Sequence, residues 1–111
     1  IEARQTQSFI KTEVFGPLMI VIPFDTQEEV IQWANDTEYG LASYVFTNHI
    51  KNANVYAENL EFGMVGINEW AAHGTELPFI GIKSSGIGHE SGSEGLKEYL
   101  EMKLISYGNM C

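Results

Sequence analysis

Short apolar segments alternate with segments of helical period along the chain, and this alternation constrains the fold more than any other feature. The predicted strands are residues 18–24, 41–46, 63–68 and 104–107. The first of these is continuously apolar rather than alternating, which is typical of a strand buried on both faces of a parallel sheet. Strands that alternate with helices predict an α/β fold built in layers around a sheet.

Three helices are predicted between these strands. The first begins at Asp25-Thr26, where Thr26 and Glu29 fit a capping box, and ends within residues 35–37. The second begins after a predicted N-cap at residues 47–48 and runs through residue 60, and the third covers residues 93–102. Each helix carries its apolar residues on one side, so each predicts packing against the sheet.

A long segment rich in glycine and serine, residues 69–92, separates the third strand from the last helix. Its Gly86, Gly88 and Gly92 read G-x-G-x-x-x-G, one residue longer than the dinucleotide fingerprint, and a loop rather than a strand precedes them. We therefore interpret these glycines as structural. Loops of this length inside a domain are more often functional than decorative.

Charge and composition exclude several classes of protein. The 111 residues contain 15 acidic and 6 basic side chains, a formal net charge of −9, which argues against binding to nucleic acid or to an anionic membrane. Hydrophobic residues make up 44% of the chain, enough for a core. No apolar run is long enough to cross a bilayer, and the single cysteine cannot form an intrachain disulfide, which favours a cytoplasmic protein.

The residues alone do not supply a complete catalytic or metal site. Cys111 is the only cysteine and the last residue, where a nucleophile is seldom positioned. The three histidines, residues 49, 73 and 89, lack the spacing of a metal site, so no metal is expected. The paired carboxylates fall on predicted helices and are interpreted as solvated surface.

Five segments, in order, resemble motifs of the aldehyde dehydrogenase superfamily. They match the family's E-x-F-G-P, N-x-x-x-Y-G-L, following strand, G-x-v-x-i-N and P-F-G-G-x-K-x-S-G-x-G-R-E-x-G patterns. In this chain they are residues 13–17, 35–41, 44–47, 63–68 and 78–92. The segments 63–69 and 94–103 look most like the succinate-semialdehyde dehydrogenase branch.

The resemblance implies a three-layer αβα piece of the catalytic domain with a C-terminal oligomerisation strand. Residues 1–12 are then a linker or a frayed N-terminal segment, residues 13–103 the C-terminal part of the catalytic domain, and residues 104–111 the strand and tail that join a neighbouring subunit in a homodimer or homotetramer. A chain that starts at Ile1 fits a fragment.

The resemblance further implies an oxidoreductase that converts a short aldehyde to its acid with NAD or NADP, through a thiohemiacetal on a cysteine. That cysteine and the general base lie upstream of the matched motifs in the family, so no catalytic residue is assigned to this chain. The 111 residues alone are expected to be inactive.

Individual roles transfer by position. Glu13 matches the glutamate that accepts from the nicotinamide ribose hydroxyls, and Phe15 the aromatic residue beside the nicotinamide. Phe79 matches an aromatic wall of the aldehyde pocket, while Trp70 and His73 fall in the variable loop that shapes specificity.

The sequence departs from the family pattern in three places. Ile80 replaces a glycine, His89 replaces an arginine, and His73 stands where the branch has a serine that helps to hold the substrate carboxylate. A protonated His73 can pair with a carboxylate, whereas the aromatic-rich loop equally favours a bulkier semialdehyde. Two alternatives therefore stay open: a dehydrogenase for a different aldehyde, and a non-catalytic piece that acts only in subunit association.

Overall fold

The computed structural model describes residues 1–72 and 74–109. Over this range the chain forms a short 3-10 helix, Ser8–Lys11, three α-helices and six strands. The helices are α1 (Gln27–Asn35), α2 (Ile50–Asn59) and α3 (Gly92–Lys97). The strands are β1 (Tyr39–Gly40), β2 (Ala42–Val45), β3 (Met64–Ile67), β4 (Phe79–Ile80), β5 (Ile82–Lys83) and β6 (His89–Glu90).

The centre of the structure is a parallel pair of strands joined by a helix. β2 and β3 run parallel with Ala42 opposite Met64 and Val45 opposite Ile67, and α2 connects them and packs on β3. Ala53 of α2 and Met64 of β3 are buried. A helix between two parallel strands is the unit of α/β folds, so the predicted α/β class is confirmed.

The cap of α1 forms largely as predicted. The Thr26 hydroxyl accepts a hydrogen bond from the Glu29 N–H at 3.1 Å, and the Glu29 carboxylate accepts from the Asp25 N–H at 2.9 Å. The predicted cap of α2 at residues 47–48 is wrong, because the helix begins after His49 and no side chain caps it. The Thr47 hydroxyl accepts instead from the His49 N–H at 3.2 Å.

The prediction that residues 69–92 form only a loop is also wrong. The segment contains three strands that form antiparallel pairs: β5 pairs with β1, and β4 pairs with β6. Each of these strands has two residues. A strand that short has no hydrophobic period, so its pairing depends on long-range contacts that a sequence pattern does not reveal.

The apolar run 18–24 is not the buried strand that its composition predicts. A single bridge joins Val21 to Glu2, with hydrogen bonds from the Ala3 N–H to the Val21 carbonyl and from the Val21 N–H to the Ile1 carbonyl, both 2.8 Å. Within the described residues no further strand lies beside this run, and Met19 and Phe24 are exposed. A two-sided strand needs neighbours on both edges, and those neighbours are not supplied by the described part of this chain.

The last two predicted elements also differ from the structure. The third helix ends at Lys97 instead of residue 102, and residues 104–107 are not in a strand. A strand is defined by its hydrogen-bonded partner, and the segment lies against none in the part of the chain that the structure describes. The division into residues 1–12, 13–103 and 104–111 remains a prediction.

The chain has an extended shape and a large surface. Its radius of gyration is 19.5 Å and its extents are 77 × 32 × 25 Å, whereas a self-contained domain of this length has a radius of about 13 Å. The accessible surface is 9210 Å², against about 6,100 Å² for a compact protein of this mass. Much apolar side-chain surface therefore stays exposed, and the buried core is correspondingly small.

Candidate functional site

Glu13 lines a groove of about 520 Å³ with mixed polar and apolar walls beside β1 and β2. Lys11, Tyr39 and Ser84 contribute to the same walls. The ammonium group of Lys11 is held by Asp36 at 2.8 Å, so this cation is paired away from Glu13. Among the described residues no group donates a hydrogen bond to the Glu13 carboxylate, which leaves both of its oxygens as acceptors for an incoming ligand.

Phe79, on β4, forms part of two other grooves. The smaller, about 170 Å³, is apolar and includes Tyr44, Met64 and Ala72. The larger, about 420 Å³, includes Thr75 and Glu90. The Phe79 side chain is 37% exposed, so much of its surface is available to a ligand.

The groove of Glu13 and the smaller groove of Phe79 have two wall residues in common. Leu41 and Ala42, at the start of β2, line both. The predicted cofactor carboxylate and the predicted aromatic wall of the aldehyde pocket therefore lie on adjoining surfaces, although residues 13 and 79 are far apart in sequence. This adjacency is a tertiary result, because the pairing of β1 with β5 brings residues 79–83 beside the start of β2.

Phe15 and Trp70 are not brought into these grooves. Phe15 lies in the turn around Gly16 and is 91% exposed, and Trp70 is 78% exposed. Neither lines the groove of Glu13 or the two grooves of Phe79. His73 and the only cysteine, Cys111, lie outside the described residues.

Two asparagines join separate segments through side-chain bonds to backbone groups, and the sequence patterns assign neither of them a role. Asn35, at the end of α1, donates to the Asn59 carbonyl at 2.8 Å and accepts from the Glu61 N–H at 2.9 Å. Asn68 follows β3 and bonds the backbone of Thr47. Their role could have been predicted from their place in two of the motifs. Asn35 stands at the end of a helix and Asn68 at the end of a strand, where a side-chain amide can replace a backbone hydrogen-bond partner.

Charged groups near the glycine-rich segment form local pairs. His89 Nδ1 lies 3.0 Å from a Glu98 carboxylate oxygen. The Ser93 hydroxyl lies 2.9 Å from both carboxylate oxygens of Glu94. This hydrogen bond, followed by one from the Glu94 backbone N–H and the attraction of Lys97, lowers the pKa of Glu94 below its usual value.

The largely apolar groove of about 330 Å³ between α1, α2 and β2 is lined by Phe24, Val30 and Tyr56 among others, and contains none of the predicted site residues that the structure describes. The hydroxyl of Ser43, in the same groove, is buried and has no partner in the described structure.

The described residues contain neither a metal-binding cluster nor a membrane-spanning helix. No cluster of three or more His, Cys, Asp or Glu side chains there is arranged to hold a metal ion. None of the helices in that part of the chain combines the length and apolar character that crossing a membrane requires.

Comparison with known proteins gives one consistent result. Succinate-semialdehyde dehydrogenase, mitochondrial, from Oryza sativa subsp. japonica is 46% identical over 100 residues, 90% of this chain and 19% of the relative. Succinate-semialdehyde dehydrogenase [NADP(+)] from Saccharomyces cerevisiae is 44% identical over 100 residues, 90% of this chain and 20% of the relative. The solved structure of betaine aldehyde dehydrogenase from Staphylococcus aureus in complex with NAD⁺ superposes with a TM-score of 0.80 at 37% identity, covering 96% of this chain and 23% of that one.

The chain thus spans about a fifth of the length of the relatives it matches. Residues 2–105 match the model of the aldehyde dehydrogenase family, so that nearly all of the described structure, with both adjoining grooves, falls inside the match. This chain belongs to the aldehyde dehydrogenase family.

Proposed function

We propose that this chain is part of an NAD(P)-dependent oxidoreductase that oxidises succinate semialdehyde, or a related semialdehyde, to the carboxylic acid. The observation that carries the proposal is the adjoining pair of grooves, one with the free carboxylate of Glu13 and one walled by Phe79. The names of the rice and yeast relatives support the choice of substrate.

The residues present fit the ribose part of the cofactor. A carboxylate with two free oxygens can accept from two vicinal hydroxyls at once, and none of the described residues donates to either oxygen of Glu13 in its groove of about 520 Å³. When bound, the dinucleotide supplies the hydride acceptor. Glu13 positions the ribose, and Phe15 gives the nicotinamide an apolar neighbour.

The aldehyde is placed on the other side of Leu41 and Ala42. We propose that Phe79 packs against its carbon chain, and that Trp70 and His73 shape the outer part of the pocket. The groove walled by Phe79, Met64 and Ala72 is small and apolar, which suits a short carbon chain. The nucleophilic cysteine and general base are assigned to polypeptide outside these 111 residues, and the absence of any other cysteine than Cys111 supports this.

Replacing Glu13 by glutamine tests the proposal. In the test protein, this chain replaces the matching fifth of the rice enzyme. NAD(P)⁺ binding and turnover of succinate semialdehyde are measured in that protein. We expect cofactor affinity to fall about tenfold to hundredfold, because glutamine lacks the charge that strengthens both hydrogen bonds. Glu58→Gln, on the exposed side of α2, is the matched control and should change nothing. Equal cofactor affinity in the Glu13 variant and the parent would remove Glu13 from the cofactor site.

A second role, in subunit association, is favoured by the exposed apolar tail. Leu104 and Tyr107 are 91% and 77% exposed. We propose that residues 104–111 add a strand to a neighbouring subunit in a homodimer or homotetramer, because an unpaired apolar segment readily pairs with a sheet edge. If the rice enzyme that carries this chain shows no turnover but its subunits still associate, the role in subunit association stands alone.

Replacing both Leu104 and Tyr107 by lysine tests the proposed association between subunits. We expect the double variant to dissociate at concentrations about tenfold or more above those at which the parent does, because two buried apolar contacts are lost. Light scattering across a concentration series measures this. Ile87→Lys changes an apolar residue outside the tail that is at least as exposed as Leu104 and Tyr107, and serves as the control. A parent that remains monomeric at high concentration contradicts the proposal.

The single cysteine also leads us to propose a reducing compartment, the cytoplasm, as the location. The rice relative is named as mitochondrial, and microscopy of a tagged full-length protein distinguishes the two.

A further inference from the structure

Asn68 closes the end of the parallel strand pair with its side chain. Its Oδ1 accepts from the Thr47 N–H at 2.8 Å, and its Nδ2 donates to the Thr47 carbonyl at 2.9 Å. Its own N–H donates to the Val45 carbonyl at 2.7 Å. The paired residues Val45 and Ile67 end the regular ladder, so the amide of Asn68 continues it by acting as one more peptide group.

The backbone of Asn68 reverses the chain at the same point. Its φ is +54°, in the left-handed region that asparagine adopts more easily than most residues. The reversal places residues 69–72 over Gly66, where an added Cβ would lie 2.6 Å from the Glu69 carbonyl oxygen and 3.3 Å from the Ala72 Cβ. The path of the segment that carries Trp70 is therefore set by the turn at Asn68.

This path ends in the proposed aldehyde pocket. Ala72 lines the same groove of about 170 Å³ as Phe79 and Met64. A displacement of residues 69–72 changes the wall that Ala72 supplies, while the groove of Glu13 contains no residue of this segment. We therefore expect the loss of the amide bonds to change the smaller groove of Phe79 more than the groove of Glu13.

We propose that Asn68 is a positioning residue, which fixes residues 69–72 on the β2–β3 pair through both amide bonds to Thr47 and so sets the wall of the aldehyde groove. The link to the aldehyde rests on the proposed function, whereas the placement of residues 69–72 does not. Only asparagine combines the left-handed backbone with a donor and an acceptor at this reach, since aspartate lacks the donor and glutamine is one methylene longer.

The placement is tested first without any activity. In a Trp33→Phe background of the whole chain, Trp70 is the only tryptophan, and 5-fluorotryptophan gives it a single ¹⁹F resonance. We expect Asn68→Gly, which keeps the turn and loses both bonds, to shift this resonance and to sharpen it towards that of a mobile side chain. Asn68→Gln, the milder change, is expected to move it partway if the glycine variant unfolds. Thr47→Ala keeps the backbone bonds and should leave it in place. An unmoved resonance in both Asn68 variants overturns the proposal.

The role in the pocket is tested in the protein in which this chain replaces the matching fifth of the rice enzyme. We expect Asn68→Gly to raise the KM for the aldehyde about tenfold and to leave the NAD(P)⁺ affinity within twofold, because the two grooves depend on different segments. General damage to the structure moves both, which counts against a positioning role. If the parent protein shows no aldehyde turnover, the proposed function fails, and the ¹⁹F result alone decides whether Asn68 positions the loop.

Discussion

Alanine in place of Gly63 is expected to destabilise the structure severely, because backbone atoms occupy the space that the added methyl group needs. A Cβ at Gly63 would overlap the Ile80 carbonyl oxygen and lie 2.6 Å from the Ile80 carbonyl carbon, both backbone atoms of β4. Side chains can rotate away from an added methyl group, but a paired strand cannot. The Gly63 N–H also donates to the Gly40 carbonyl at 3.0 Å, so a shift of Gly63 disturbs a second contact.

We expect Gly63→Ala to lower the free energy of unfolding by about 4 kcal/mol or more, at the upper end for single substitutions. Urea unfolding of the protein with this chain in place of the rice segment measures the loss, and circular dichroism shows whether the variant folds at all. Gly16→Ala is the matched control, because nothing lies within 4 Å of its added Cβ. A Gly63 variant that unfolds within about 1 kcal/mol of the parent would show that β4 does not approach residue 63 as the structure has it.

Alanine in place of Asn35 should give the next largest loss. The side-chain amide of Asn35 joins the ends of α1 and α2 through its bonds to the backbone of Asn59 and Glu61. The backbone carbonyl of Asn35 accepts from Lys83 Nζ at 3.1 Å. Lys83 in turn lies 3.0 Å from Glu61. Removing the amide leaves one backbone donor and one backbone acceptor without partners.

We expect Asn35→Ala to cost about 2 kcal/mol of unfolding free energy, a value near the low end for two orphaned groups because these bonds are partly solvated. Asn35→Asp keeps the acceptor for Glu61 and loses the donor, so about half of that loss should remain. Asn54→Ala removes an amide from the exposed surface of α2 and should be neutral or slightly stabilising. Similar midpoints in urea for the Asn35 and Asn54 variants would contradict the role assigned to Asn35.

The motifs predict the site residues one at a time, whereas only the structure shows which of them lie near one another. Glu13 and Phe79 are named by their motifs, and the structure places them on adjoining surfaces across Leu41 and Ala42. Phe15 and Trp70 are named in the same way but are exposed. Their predicted neighbours, a nicotinamide and an aldehyde, are not groups of this polypeptide, so the chain alone cannot enclose them.

The elements that the sequence predicted well are those whose partners lie nearby along the chain. α1 shows its cap in Thr26 and Glu29, and β2, α2 and β3 follow one another closely enough to pack as one unit. The hydrophobic period of these elements and the cap of α1 are local properties, and local contacts suffice to satisfy them.

The elements predicted wrongly depend on partners that local sequence does not contain. The two-residue strands β4, β5 and β6 exist because distant backbone groups meet. The runs 18–24 and 104–107 have strand-like composition, yet an apolar run becomes a strand only where another strand offers its hydrogen bonds. Composition and motif order by themselves determined the α/β class and the family, while the site residues that the motifs name remain predictions. Tertiary structure alone decided which backbone edges pair, and which distant backbone groups the amides of Asn68 and Asn35 bond, because a hydrogen bond between distant residues is decided by their position in space and leaves no period in the sequence.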